Sequence, residues 1–160
     1  MKTIHITNNQ IARAKELYLF SELNGSITKG KSNIYGALGE IVFYDYFLNK
    51  GMEIDFNSTY DYDMIIKGYK IDVKTKRTTV IPKDNYLCSI SSFNIKQICD
   101  FYFFCRITED LKICYLLGYK RKKDFFNIAT FNKKDDIDVN GWAFKDDCYN
   151  LKISLLNKFN

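Results

Sequence analysis

YDYDMIIKGYKIDVKTKR, residues 60–77, contains two short runs of β-forming residues, Met64–Ile66 and Ile71–Lys74, separated by the dipeptide Lys67-Gly68. A glycine at the second position of a two-residue loop supplies the positive φ that a tight hairpin turn needs. The stretch therefore predicts a β-hairpin that turns at Lys67-Gly68.

The turn position fixes which residues of this hairpin face each other. Ile66 then lies opposite Tyr69, and Asp63 lies opposite Asp72, while Lys74 shares a strand face with Asp72. Opposed carboxylates roughly 5 Å apart repel by about 3 kcal/mol at an effective dielectric constant of 20. A divalent cation would reverse the sign of this interaction, since Mg²⁺ binds through one or two carboxylates. The hairpin alone leaves two interpretations open, a metal site and a solvated polar face.

Size and composition restrict the class of protein. The chain has 160 residues, of which 46% are hydrophobic and 16% aromatic, so we expect one folded domain spanning residues 1–160. Its net charge of +5 suits a polyanionic partner. With one histidine, His5, and five cysteines without a Cys-x-x-Cys pair, the sequence argues against a zinc site and against a His-activated nucleophile. No signal peptide or membrane span is predicted, so we expect a cytoplasmic protein without a membrane partner.

The hydrophobic pattern predicts alternating helices and strands. The expected elements are helices at 9–23 and 33–49, a strand at 52–56, the hairpin, a strand at 86–90, a short helix at 93–99, a hairpin of strands 101–107 and 112–119, a short helix at 121–130, and a last strand or helix at 149–156. This order favours an α/β domain with a central mixed β-sheet flanked by helices.

Glu40 is an unusual residue on the second predicted helix. It lies on the helical stripe that carries Gly36, Phe43, Tyr44 and Phe47. A carboxylate among apolar side chains is costly unless something pairs with it. Glu40 is therefore a candidate functional residue.

A phosphate-binding pattern, G-x-x-x-x-G-K-[ST], matches residues 25–32, GSITKGKS. In such a loop, backbone N–H groups cradle phosphates and Lys31 would reach further out. The pattern requires a buried strand leading into the loop, whereas the preceding residues look helical. We therefore treat nucleotide binding as the least favoured function and interpret Lys29 and Lys31 as part of a basic loop.

Three short motifs occur in a characteristic order: Gly39-Glu40 on a helix, Tyr62-Asp63 before a strand, and Asp72-Val73-Lys74 at a strand end. This arrangement resembles the PD-(D/E)XK nuclease superfamily. The resemblance covers about residues 33–107 and implies the restriction-endonuclease-like αβββαβ core. The residue before Asp63 is tyrosine, where the motif has proline.

The resemblance also implies a chemistry. The resemblance implies that the chain is a metal-dependent deoxyribonuclease that uses Mg²⁺, for which Mn²⁺ can substitute. Asp63, Asp72 and Glu40 would hold the metal, and Lys74 would orient water or stabilise charge on the phosphate. Asp61 shares a strand face with Asp63 and is the alternative ligand.

Basic residues beyond the motif are expected to bind DNA. Lys76, Arg77 and Lys83 would contact backbone phosphates, as would Lys29 and Lys31 of the basic loop. The expected role is an endonuclease in phage, viral or repair DNA processing, located in the host cytoplasm or nucleus if it is viral. The alternatives are a Holliday-junction resolvase of the same superfamily acting as a homodimer, a non-cleaving nucleic-acid-binding domain, and the nucleotide-binding protein considered above.

Overall fold

The computed structural model describes residues 1–23, 34–138 and 141–159. In chain order the elements are β1 Lys2–His5, α1 Asn8–Leu23, α2 Ile34–Leu48, β2 Ile54–Phe56, β3 Met64–Ile66, β4 Tyr69–Thr78, β5 Leu87–Ser91, a 3₁₀ helix Ser92–Lys96, β6 Phe101–Thr108, β7 Ile113–Arg121, α3 Lys122–Ile128, β8 Thr130–Asn132, β9 Cys148–Lys152 and a 3₁₀ helix Ile153–Leu155.

A six-stranded mixed sheet organises the fold. Its strand order is β1-β7-β6-β4-β3-β2, with β4 and β6 parallel and the other neighbours antiparallel. A separate antiparallel sheet has the order β5-β9-β8. The described residues therefore form an α/β fold with a mixed sheet, as the sequence predicts at this coarse level.

The β3–β4 hairpin has the register expected from its sequence. Ile66 pairs with Tyr69, and Met64 pairs with Ile71. Lys67 and Gly68 both have positive φ, 51° and 81°, which is the conformation of a type I′ turn. The predicted turn is confirmed, as is the register of the three ladder pairs from Ile66–Tyr69 to Met64–Ile71; the predicted pair of Asp63 and Asp72 lies beyond the last of them.

The two faces of the central sheet are covered by different elements. On one face, Ile71 and Val73 of β4 belong to a core that includes Phe43 of α2. On the other face, Tyr102 and Phe104 of β6 pack in a second core with residues of α3, β5 and β9. Asp72 lies beside Tyr102 in the parallel pair, so its face of β4 is the one that the second sheet approaches.

Several predicted elements differ from the observed ones. The helix expected at 93–99 is wrong: the chain forms only the five-residue 3₁₀ helix Ser92–Lys96. The apolar side chains of this segment, Phe93, Ile95 and Ile98, are 75%, 41% and 63% exposed, so no buried face stabilises a longer helix. The connection from β4 to β6 therefore contains β5 and a 3₁₀ helix where the αβββαβ core has an α-helix.

The remaining differences concern strands. The strand predicted at 86–90 exists as β5 but belongs to the second sheet. The predicted segment 149–156 is a strand followed by a 3₁₀ helix, and the short strands β1 and β8 were not predicted. No helix among the described residues is long and apolar enough to span a membrane. The phosphate-loop pattern at 25–32, with Lys29 and Lys31, lies outside the described residues.

Candidate active site

Asp63 is fixed at the open end of the β3–β4 hairpin. Its backbone N–H donates to the carbonyl of Ile71 at 2.9 Å, just beyond the last ladder pair, Met64–Ile71. Its carboxylate Oδ2 accepts from the backbone N–H of Val73 at 2.6 Å. Asp63 is 6% exposed and Asp72 is 3% exposed. The open end of the hairpin therefore buries two aspartates that interact electrostatically.

Helix α2 brings Glu40 to this hairpin end because Gly39 allows a close approach. A Cβ atom on Gly39 would lie 2.0 Å from Thr75 Oγ1 of β4, so only glycine fits where the helix crosses the strand. The adjacent Glu40 carboxylate accepts a hydrogen bond from the Ser58 side chain and interacts electrostatically with Asp72.

Lys74 supplies the positive charge of the site. Its Nζ lies 2.6 Å from Asp72 Oδ2 and donates to Gln97 Oε1 at 3.1 Å. The contact with Asp72 is a close ion pair that opposes the rise in the pKa of Asp72. Nζ also lies 5.7 Å from the centre of the Tyr102 ring.

Gln97 connects this ion pair to the loops around it. Its side-chain Nε2 donates to Asp72 Oδ1 at 3.2 Å and to the Tyr60 carbonyl at 2.6 Å. The Lys122 ammonium donates to the Gln97 carbonyl and, at 2.7 Å, to the Ile95 carbonyl. Gln97 therefore fixes both members of the Asp72–Lys74 pair, and Lys122 fixes the segment that carries Gln97.

Burial and mutual repulsion make the three carboxyl groups weak acids. Burial, opposed by the Ser58 hydrogen bond, raises the pKa of Glu40 to about 7. Burial and then the charges of Glu40 and Asp72 raise the pKa of Asp63 well above its ordinary value. Burial also raises the pKa of Asp72, although Lys74 acts in the opposite direction. Glu40, Asp63 and Asp72, which we call the acidic cluster, therefore hold protons more tightly than free carboxyls do.

Glu40 Oε2 is buried without a hydrogen-bond donor, whereas the buried Asp72 Oδ2 has the Lys74 ammonium 2.6 Å away as its one close partner. A buried carboxylate oxygen without a donor is destabilising, so such atoms are uncommon. Across residues 1–23, 34–138 and 141–159, no three His, Cys, Asp or Glu side chains are arranged as a preformed metal site.

The structure gives different surroundings to Asp61 and Asp63, the two aspartates considered as metal ligands. Asp61 is exposed to a larger extent than Asp63, and its Oδ1 accepts from the backbone N–H of Ile98 at 2.9 Å. Asp61 thereby anchors the end of the segment that carries Gln97. Asp63 is the aspartate that interacts electrostatically with Glu40 and Asp72.

The predicted DNA-binding residues are not grouped. Lys76 lies on the same strand face as Lys74, and its Nζ donates to Ser89 Oγ at 2.7 Å. Arg77 lies on the opposite face, where its Nε is 3.2 Å from Glu109 Oε1. Lys83 is exposed in the loop between β4 and β5.

Sequence reasoning missed Gln97, Ser58 and Lys122. Gln97 lies in a segment predicted to be helical, and its contact with Asp72 joins residues 25 positions apart. A single polar residue gave no signal that it would lie beside the motif. Hydrogen bonding by Ser58 and Lys122 likewise depends on loops whose path the hydrophobic pattern does not specify.

Comparisons with known proteins give no independent assignment. No protein-family model matches this chain, and a search of curated proteins found no significant match.

Proposed function

We propose that this protein is a divalent-metal-dependent nuclease that hydrolyses phosphodiester bonds of DNA as an endonuclease. The observation that carries the proposal is the burial of Glu40, Asp63 and Asp72 together beside Lys74, with Glu40 Oε2 lacking a donor. The motif residues carried over from the resemblance to the PD-(D/E)XK superfamily are the same residues that meet there.

The donor chemistry of the acidic cluster fits Mg²⁺ or Mn²⁺. These hard cations prefer carboxylate oxygens, and Mg²⁺ uses few protein ligands. Asp63 and Asp72 would hold the cation, with Glu40 as a third ligand or as a hydrogen-bond partner of its water. When bound, such a cation lowers the pKa of water and offsets negative charge on the phosphate.

Lys74 has the position of an electrostatic catalyst. Its ammonium is held by Asp72 and Gln97, so its direction is set before a substrate arrives. A preoriented cation stabilises the negative charge that develops on a phosphate in the transition state. Gln97 acts as a positioning residue because it contacts both Asp72 and Lys74 and needs no contact with DNA.

The raised pKa values of the acidic cluster couple cation binding to proton release. The three carboxyls would have to ionise to act as ligands, and a bound cation would offset the negative charge that a polyanionic substrate would then meet. Because burial raises the pKa of Glu40 to about 7, cation binding near neutral pH would displace the part of this proton that the site still holds.

A cleavage assay tests the proposal. The purified protein is incubated with linear and circular duplexes, single strands and a four-way junction, in Mg²⁺, Mn²⁺ or EDTA. We expect cleavage of the circle with either metal and none in EDTA or with Asp72→Asn, which also controls for contaminating nucleases. A strong preference for the junction would identify a resolvase. DNA binding without cleavage by the wild type in either metal would contradict the proposal and favour a non-cleaving binding domain.

A further inference from the structure

A second charged group lies on the same face of β4 as Asp72 and Lys74. Lys76 of β4 and Arg106 of β6 are direct neighbours across the parallel strand pair. Both side chains reach the carbonyl of Leu87 on β5, Lys76 Nζ at 3.3 Å and Arg106 Nη2 at 3.1 Å. Lys76 Nζ also donates to Ser89 Oγ at 2.7 Å. We call Lys76 and Arg106 the basic pair.

No carboxylate of the described residues forms an ion pair with the basic pair. The ion pairs among the described residues involve Arg13, Lys74, Arg77 and Lys112, and none includes Lys76 or Arg106. Burial and then the charge of Arg106 lower the pKa of Lys76, whereas Asp138 acts on it least among the groups that affect it. Two like charges thus lie side by side, partly removed from water, which disfavours the folded chain unless an anion joins them.

One donor of the basic pair is unused. Arg106 Nε is buried and has no hydrogen-bond acceptor in the described structure. The Arg106 guanidinium also makes a cation–π contact with Tyr86, whose ring centre lies 5.2 Å from Cζ. This contact and the hydrogen bond to the Leu87 carbonyl restrain the guanidinium, and a restrained guanidinium is a good receptor for phosphate oxygens.

We propose that the basic pair binds a backbone phosphate of the nucleic acid, next to the phosphate that is cleaved. This assignment rests on the proposed nuclease function. Along a strand, Lys76 lies roughly 7 Å beyond Lys74. A nucleic acid strand rises about 3.4 Å per nucleotide, so the basic pair corresponds to a phosphate one or two nucleotides from the reactive one. Such a contact fixes the position of the backbone without reading its sequence.

The test measures DNA affinity in a chain that binds without cutting. Lys74→Ala serves as the background, in Mg²⁺, with a fluorescent duplex whose anisotropy is followed over a series of salt concentrations. Lys76→Gln and Arg106→Gln are compared with Lys112→Gln, a matched charge loss at a lysine whose side chain is 79% exposed.

We expect each substitution in the basic pair to weaken DNA binding about fivefold near 0.15 M salt. The slope of the logarithm of the binding constant against the logarithm of the salt concentration should fall in magnitude by about one, because each neutralised phosphate contributes about −0.9 to it. Lys112→Gln should change neither value. Arg106→Lys should retain part of the affinity because it keeps the charge and loses only the guanidinium fork. If Arg106→Gln does not fold, Arg106→Lys and Lys76→Gln still carry the test.

Two outcomes overturn the phosphate site. The first is that the basic-pair variants bind as Lys112→Gln does, and the second is that the Lys74→Ala background binds no DNA. Cleavage by the wild type is scored on the same duplex in parallel. If the wild type cleaves and the basic-pair variants bind DNA as tightly as their background, the phosphate site alone is refuted. If the variants bind more weakly but the wild type does not cleave, the nuclease function alone is refuted.

Discussion

One face of β4 carries opposite kinds of charge at its two ends. At one end Asp72 belongs to the acidic cluster, where Lys74 is the nearest cation. At the other end Lys76 lies beside Arg106 and no carboxylate forms an ion pair with either in the described structure. Only three residues of the strand, 73–75, lie between Asp72 and Lys76. The opposite face of β4, with Ile71 and Val73, is an apolar core.

Both ends share a deficiency that a purely structural arrangement would avoid. The buried side-chain atoms without hydrogen-bond partners in residues 1–23, 34–138 and 141–159 are Glu40 Oε2, Asp72 Oδ2 and Arg106 Nε. A buried polar atom without any partner costs about 1–3 kcal/mol of stability. Asp72 Oδ2 differs from the other two atoms because the Lys74 ammonium lies 2.6 Å from it. All three atoms lie in the acidic cluster or the basic pair. In the two proposals, a bound cation would supply a partner for Glu40 and a bound phosphate would supply one for Arg106.

The largest expected effect comes from removing the ammonium group of Lys74, which lies between the two ends of this strand face. Lys74→Ala should reduce the cleavage rate about 10²–10³-fold, because it removes a preoriented charge at the phosphate. Binding of DNA and the circular-dichroism spectrum should change little. Lys70→Ala, on the same face of β4 with its ammonium 5.1 Å from the Tyr62 ring centre, is the matched control. A Lys74→Ala protein that cuts at the wild-type rate would remove Lys74 from the mechanism.

A smaller effect should distinguish the two aspartates near the acidic end. Asp63→Asn should weaken Mn²⁺ binding at least about tenfold, whereas Asp61→Asn should leave it nearly unchanged, because Asp61 caps the backbone of Ile98. The measurement is the rise in melting temperature with added Mn²⁺. The reverse order would identify Asp61 as the ligand and would mean that the hairpin register does not define the site.

The smallest effect concerns stability without metal. The pKa of Glu40 is raised from 4.5 to about 7, so between these values the folded chain holds a proton that the unfolded chain has lost. This contribution therefore favours folding at low pH and is lost as the pH rises from about 4.5 to about 7. In EDTA, the melting temperature should fall over this window.

Glu40→Gln should flatten that pH dependence and raise the melting temperature at pH 7.5 by a few degrees in EDTA. Glu16→Gln, at an exposed position of α1, should do neither. If Glu40→Gln instead melts several degrees lower at pH 7.5, Glu40 is a structural carboxylate whose charged form stabilises the fold.

The sequence predicted the acidic end of β4 better than the basic end, for a physical reason. Asp63 and Asp72 come together at the end of a local hairpin whose register depends on one turn, Lys67-Gly68, and that turn is readable from its glycine. Lys76 and Arg106 are neighbours through a parallel pair that joins residues 30 positions apart. Periodicity reports the face on which a residue lies but does not specify which distant strand lies beside it.

Loops and short helices were predicted least well for a related reason. The segment that carries Gln97 has helical spacing of apolar residues, yet nothing in the described fold covers Phe93 or Ile98. Tertiary packing, which a local pattern does not contain, decides whether such a segment becomes an α-helix. The role of Gln97 at the Asp72–Lys74 pair depends on that packing.

Calorimetric titration of Mn²⁺ into the metal-free protein at pH 7, in two buffers of different ionisation enthalpy, tests the central claim most directly. The acidic cluster should bind Mn²⁺ and release protons as it does so, because its carboxyls have raised pKa values and must ionise to act as ligands. The heat should therefore depend on the buffer, and Asp72→Asn should lose most of the binding. Heats of dilution alone, or equal binding by Asp72→Asn, would contradict a cation site at Glu40, Asp63 and Asp72.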